Sequence, residues 1–105
     1  MPVPRSHWRS AARWQAAFGH PTRLVLLRAL ARGPSDVASL GEGQPRGVYT
    51  ASQHLKALRG VGLVRAERRA QHMVYALVGA EATAEGLVFR HDSGVKAILR
   101  LGEGA

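Results

Sequence analysis

The chain contains no cysteine. Disulfides, thiolate metal sites and cysteine nucleophiles are therefore excluded. Aromatic residues are scarce, at 6%, and no aromatic pair falls on a strand pattern. Stacking platforms for single-stranded nucleic acid need such a pair, so an RNA-binding sheet is disfavoured. Long apolar runs are missing as well. The longest aliphatic run is Leu24 to Leu27, far short of the roughly 20 residues that cross a bilayer. The N-terminal MPVPRSHWRS lacks the apolar stretch of an export signal, which makes a cytoplasmic location the expectation. Two chemical signatures are also missing. There is no Gly-x-Ser-x-Gly elbow, and Gly41 to Gly47 does not end in the Gly-Lys-Ser/Thr of a phosphate loop. No enzyme is expected.

Acidic residues are few. Seven Asp and Glu face 15 Lys and Arg, for a net charge of +8. A small basic domain commonly meets a polyanion, because neutralising phosphates releases counterions. With 105 residues, 46% of them apolar, the chain fits one domain with a modest core. A domain of this size gains from dimerisation.

Apolar spacing predicts the elements. Met1 to Ser6 reads as a loose arm, and a first helix is expected over Arg5 to Phe18, with Trp8, Ala11, Ala12, Trp14 and Phe18 as its apolar positions. Gly19-His20-Pro21 breaks it and starts the next, with His20 at or near the cap and Pro21 at the first helical position. That second helix runs to about Arg32 and stops at Gly33-Pro34. Ser35 to Leu40 could start a third helix with Ser35 as its cap, followed by a loop over Gly41 to Gly47. A fourth helix spans about Val48 to Arg59. Val48, Ala51, Leu55 and Leu58 fall at i, i+3, i+7 and i+10 and should face the core. Leu63 to Glu67 and Met73 to Val78 read as two strands around a basic turn, Arg68 to His72. In the tail, Glu81 to Arg90 and Val95 to Leu101 are helical candidates.

A short helix, a turn and an exposed second helix make a helix-turn-helix, and the hairpin that follows makes it winged. The exposed face of the fourth helix carries Tyr49, Gln53 and Lys56, with Thr50 and Ser52 flanking. Gln can pair with adenine in the major groove, and Lys with guanine or phosphate. Thr50 and Ser52 can reach phosphates or base edges, and Tyr49 a phosphate or a thymine methyl group. Arg68, Arg69 and Gln71 at the hairpin tip suit phosphates or a narrow minor groove.

GHPTRLVLLRAL, TASQHLKALRGVGLV and the closing HMVYAL together resemble the ArsR/SmtB family of bacterial winged-helix repressors, over roughly Phe18 to Val78. The specific parts are Pro21 to Arg23, Ser52 to Lys56 and Gly62 to Val64. The resemblance implies a mainly α fold with a small β-hairpin, a winged helix–turn–helix that dimerises through N- and C-terminal helices. The whole chain, 1–105, is then one DNA-binding domain, with 1–6 an arm and 79–105 a C-terminal dimerisation segment. It also implies a homodimer that binds an inverted repeat, represses a promoter and is released by a small inducer. The chain departs from the family at LGEGQPRG, which is poor helix-forming sequence. That departure keeps a second function open: a protein–protein interaction module, or a co-regulator that needs a partner subunit for specific DNA binding.

The family's metal sites are not reproduced. The cysteine motif would fall near Asp36 to Leu40, where the chain reads DVASL, and the last-helix positions hold Ala80, Ala82, Ser93 and Lys96. Among the five histidines, His20, His54 and His72 have structural or DNA-facing readings. His7, His91 and Asp92 sit near the chain ends, and in a family-like dimer they could form a nitrogen/oxygen site across subunits. Such ligands suit nickel or zinc as a regulatory divalent metal.

Overall fold

Helix α2 (Pro21–Leu30) supplies three residues, Leu26, Leu27 and Leu30, to the centre of the core. They cluster with Ala51, Leu55 and Leu58 of helix α4 (Gly47–Gly60). Leu63 and Phe89, both fully buried, close the cluster. A computed structural model describes residues 4–42 and 46–100. Parts of the arm, of the Gly41 to Gly47 loop and of the Val95 to Leu101 candidate lie outside the described residues.

Around this centre the order is α1 (Arg5–Ala16), α2, β1 (Ser35–Asp36), α3 (Val37–Leu40), α4, β2 (Val64–Arg69) and β3 (His72–Leu77). Three more strands follow: β4 (Ala80–Thr83), β5 (Gly86–Arg90) and β6 (Lys96–Leu99). One antiparallel sheet has the order β1-β3-β2, the other β4-β5-β6. In the first, Val64 pairs with Leu77 and Arg69 with His72, while Ser35 pairs with Tyr75.

Helix α1 begins at Arg5, inside the stretch read as an arm, and ends earlier than expected. Ala11 and Trp14 are buried, but Trp8 is exposed. Trp14 meets Phe18 edge-on at 5.1 Å between ring centroids, and Phe18 meets Phe89 at 5.3 Å. This relay fastens α1 to the second sheet.

The tail departs from its helical reading: 80–99 forms the second sheet. Two causes are visible. Leu87, Val88 and Phe89 are consecutive and all buried, as in a strand covered on both faces rather than a helix with one buried stripe. Gly86 has φ +137°, and a Cβ there would sit 2.5 Å from the Leu99 carbonyl oxygen. A glycine that costs a helix about 1 kcal/mol is here the residue that lets β5 pass against β6. The turn before it is closed by Thr83, whose Oγ1 donates to the Gly86 carbonyl at 3.1 Å and accepts from the Glu85 N–H at 3.1 Å. The winged helix–turn–helix fold is as expected; the dimer contact expected from a C-terminal helix has no such helix among the described residues.

Gly86→Ala should lower stability by about 3 kcal/mol or more, from backbone strain and overpacking combined. Gly60→Ala, at the end of α4 with nothing within 4 Å of the added Cβ, should change it by less than about 1 kcal/mol. Urea midpoints of the two variants check this; equal midpoints would remove the constraint at Gly86.

Candidate nucleic-acid interface

The first helix of the motif is one turn long, and its cap is Asp36 rather than Ser35. Ser35 is held in β1 against Tyr75, and Asp36 Oδ1 accepts from the Ser39 N–H at 2.9 Å. That backbone hydrogen bond is the main reason the Asp36 carboxyl lies below its usual range, with His72 adding to it. Asp36 Oδ2 also lies 3.5 Å from His72 Nδ1. The wing is thus tied back to the start of α3.

Gly41 explains the glycine-rich segment that looked like a defect. It is buried, and a Cβ there would stand 2.8 Å from Gly47 C and from Val48 N. The backbones leaving α3 and entering α4 touch at this point, so no larger residue fits. Residues 43–45 of the expected loop lie outside the described residues. Arg46 precedes α4 with φ +62°, and its guanidinium lies 4.4 Å from the centre of the Tyr49 ring.

Helix α4 buries Ala51, Leu55 and Leu58 completely. Val48 belongs to the same stripe but is 49% exposed. It lies in the first turn, where the stripe runs past the core. On the opposite face Tyr49, Gln53 and Lys56 are exposed, with Thr50 and Ser52 partly buried beside them. The five α4 residues expected to face a ligand therefore occupy one side of a helix anchored from behind.

The wing is tighter than its sequence suggested. The strands run to Arg69 and resume at His72, leaving a two-residue loop, Ala70-Gln71, with Ala70 at φ +55°. Arg68, Arg69 and Gln71 are all exposed. As neighbours on β2, Arg68 and Arg69 point to opposite faces of the hairpin. Arg69 Nη2 lies 3.6 Å from Glu67 Oε2, in a pair more than half exposed on both sides and so worth little.

Sequence reasoning missed two features here. One is Arg46, three residues before Tyr49 and so on its face of the helix; that spacing was the available signal. The other joins α2 to α4. Arg23 Nε donates to His54 Nδ1 at 3.2 Å, and the His20 and His54 rings lie with centroids 4.2 Å apart and planes inclined at 40°. His20 also caps α2, its Nδ1 accepting from the Thr22 N–H at 3.1 Å. No sequence pattern announced a contact between residues 31 apart.

The residues proposed for a metal lie elsewhere. His7 and His91 meet within one chain, ring centroids 5.8 Å apart, whereas the expectation set them across two subunits. Both ring nitrogens of His91 are engaged. Nδ1 accepts from the Ser93 N–H at 3.0 Å and contacts Ser93 Oγ at 2.9 Å; Nε2 lies 3.2 Å from Ser10 Oγ. No group of three His, Asp or Glu side chains able to hold a metal ion occurs among the described residues. Within one chain, His7, His91 and Asp92 do not fit a nickel or zinc ion.

Residues 20–66 match the model of the family described as bacterial regulatory protein, arsR family. Over 61 residues the chain is 36% identical to the HTH-type transcriptional regulator NmtR of Mycobacterium tuberculosis, a match covering 58% of this chain and 51% of NmtR. The chain thus spans about half the length of that relative. Among solved structures it is similar to the homodimeric winged helix-turn-helix DNA-binding domain of Mb0332 from Mycobacterium bovis, a possible ArsR-family transcriptional regulator. Identity there is 31% and the TM-score 0.67, covering 71% of this chain and 69% of that one. It is also similar to the transcriptional repressor BigR of Xylella fastidiosa, at 32% identity and TM-score 0.56, covering 70% and 76%. The chain belongs to the ArsR family. No helix among the described residues is long and apolar enough to cross a membrane.

Burial, then His20 and Arg23, push His54 below its usual value of 6.5. A depressed folded-state value means that the unfolded chain binds the proton more readily. The stability this site contributes is complete above about pH 6.5 and is lost as pH falls toward the lowered folded value. His54→Asn keeps an acceptor for Arg23 and cannot titrate. Melting temperatures at pH 7.5 and 5.5 should fall further in the wild type than in H54N; equal falls would remove His54 from the pH response.

Proposed function

We propose that this chain is a homodimeric transcriptional repressor that binds an inverted repeat in double-stranded DNA. The observation that carries the reading is the two-sided character of α4: Ala51, Leu55 and Leu58 fully buried, Tyr49, Gln53 and Lys56 exposed on the other side. In this reading α4 enters the major groove. Gln53 pairs with adenine, Lys56 takes guanine or a phosphate, and Tyr49, Thr50 and Ser52 contact the backbone or base edges beside them. The wing lies along the flank, where Arg68, Arg69 and Gln71 meet phosphates or the minor groove. Membership in the ArsR family, the net charge of +8 and the homodimeric state of the Mb0332 domain support it. The chain acts by binding and not by catalysis, in the cytoplasm where the DNA is.

The test is a titration of the protein against its own upstream DNA and a scrambled duplex, at two salt concentrations, with and without nickel and zinc. Preference for the native duplex is expected. Failure to bind either duplex at low salt would hand the chain to the interaction-module reading. A metal-dependent change in affinity would give His7, His91 and Asp92 a role that a single chain does not provide for.

Gln53→Ala should cost about 1–3 kcal/mol of discrimination at one base position. An unchanged base preference would take Gln53 out of the readout. Arg69→Ala should weaken binding to every sequence and reduce the salt slope by about 0.9 for one lost phosphate contact. A wild-type slope would place Arg69 off the backbone.

A further inference from the structure

We infer that His20, Arg23 and His54 form an oxyanion site that clamps one DNA backbone phosphate beside the recognition helix. This deepens the DNA-binding reading and rests on it. The groups that the site leaves uncommitted are hydrogen-bond donors. His20 Nδ1 accepts from the Thr22 N–H and His54 Nδ1 accepts from Arg23 Nε. Each neutral ring therefore carries its proton on Nε2, which is left to donate elsewhere. Arg23 uses Nε on His54, and its four remaining guanidinium N–H groups have no partner among the described residues. The acidic groups that pair among the described residues, Asp36, Glu67 and Glu81, pair with other cations.

Three donor side chains thus meet, two of them rings whose centroids lie 4.2 Å apart, all partly exposed and with no acceptor for their free N–H groups among the described residues. A tetrahedral oxyanion supplies several acceptor oxygens at once, and an Arg fork matches it. The position selects the phosphodiester. His54 follows Gln53 directly and lies one helical turn beyond Thr50, on the flank of α4 that faces α2. A phosphate bound there borders the groove that α4 would occupy.

The experiment is the salt dependence of duplex binding by the wild type, Arg23→Gln and Arg23→Lys, with thermal melts confirming that each protein is folded. Arg23→Gln should reduce the slope by about 0.9, one phosphate contact, and Arg23→Lys should keep the wild-type slope. Lysine retains the charge but not the planar fork that reaches His54. If Arg23 only packs α2 against α4, both variants lose affinity in parallel with slopes unchanged, and the clamp is overturned while the DNA-binding reading stands. Wild-type protein that binds no duplex overturns both. A control adds inorganic phosphate at constant ionic strength and follows the His20 and His54 imidazole resonances without DNA. A phosphate-induced shift together with unchanged slopes would assign the site to a free anion and overturn the backbone assignment.

Discussion

The packing of α2 against α4 is the contact on which the other parts depend. Leu26, Leu27 and Leu30 from one helix and Ala51, Leu55 and Leu58 from the other share one cluster. A fully buried aliphatic side chain contributes roughly 1.5–3 kcal/mol, so this seam holds a large share of what a small domain can gain. It fixes the rotation of α4 about its axis. Once Leu55 and Leu58 point inward, Gln53 and Lys56 point outward. The exposed face is therefore a consequence of the core and needs no separate support. The Arg23–His54 hydrogen bond runs along the same seam at its polar edge.

Two smaller contacts set the angle at which that helix is presented. Gly41 lets the end of α3 touch the start of α4, and the Asp36–His72 pair joins the α3 cap to the wing. Helix, turn and wing are thereby linked through a few atoms at the two ends of α3, Asp36 at its start and Gly41 at its close. A one-turn helix has little stability of its own. It persists because its cap, its C-terminal glycine and its strand partner are each held from outside.

What could be read from the sequence follows from how local each signal is. Pro21 with its His20 cap, the leucine spacing of α2 and the stripe on α4 are set within one or two helical turns, and all three appear in the structure. The motif turn was harder, because the reason for Gly41 is the backbone of Gly47 and Val48, brought close only in three dimensions. The tail was misread for a similar reason. Helical spacing over Glu81 to Arg90 is weak evidence, and what decides against it is the approach of Gly86 to Leu99 and cover on both faces of Leu87 to Phe89. In the candidate interface, exposure of Tyr49, Gln53 and Lys56 could be anticipated from α4 alone. Arg23 beside His54 could not, since no periodicity connects α2 with α4. The opposite facing of Arg68 and Arg69 depended on how far β2 extends, and the basic turn in the sequence gave no sign of it.

The scarcity of aromatic residues has a practical side. Both tryptophans lie on α1, one half-exposed at Trp8 (48%) and one buried at Trp14 (3%). Trp14 stacks edge-on against Phe18 and His91, at the junction of α1 with the second sheet. Indole emission therefore reports on that junction and on loss of the core, while α4 and the wing carry no indole at all. An optical melt of this protein would follow the loss of the shared core, in which Trp14 clusters with Leu55 and Leu58. Movements of α4 or the wing would need a label placed there to be seen.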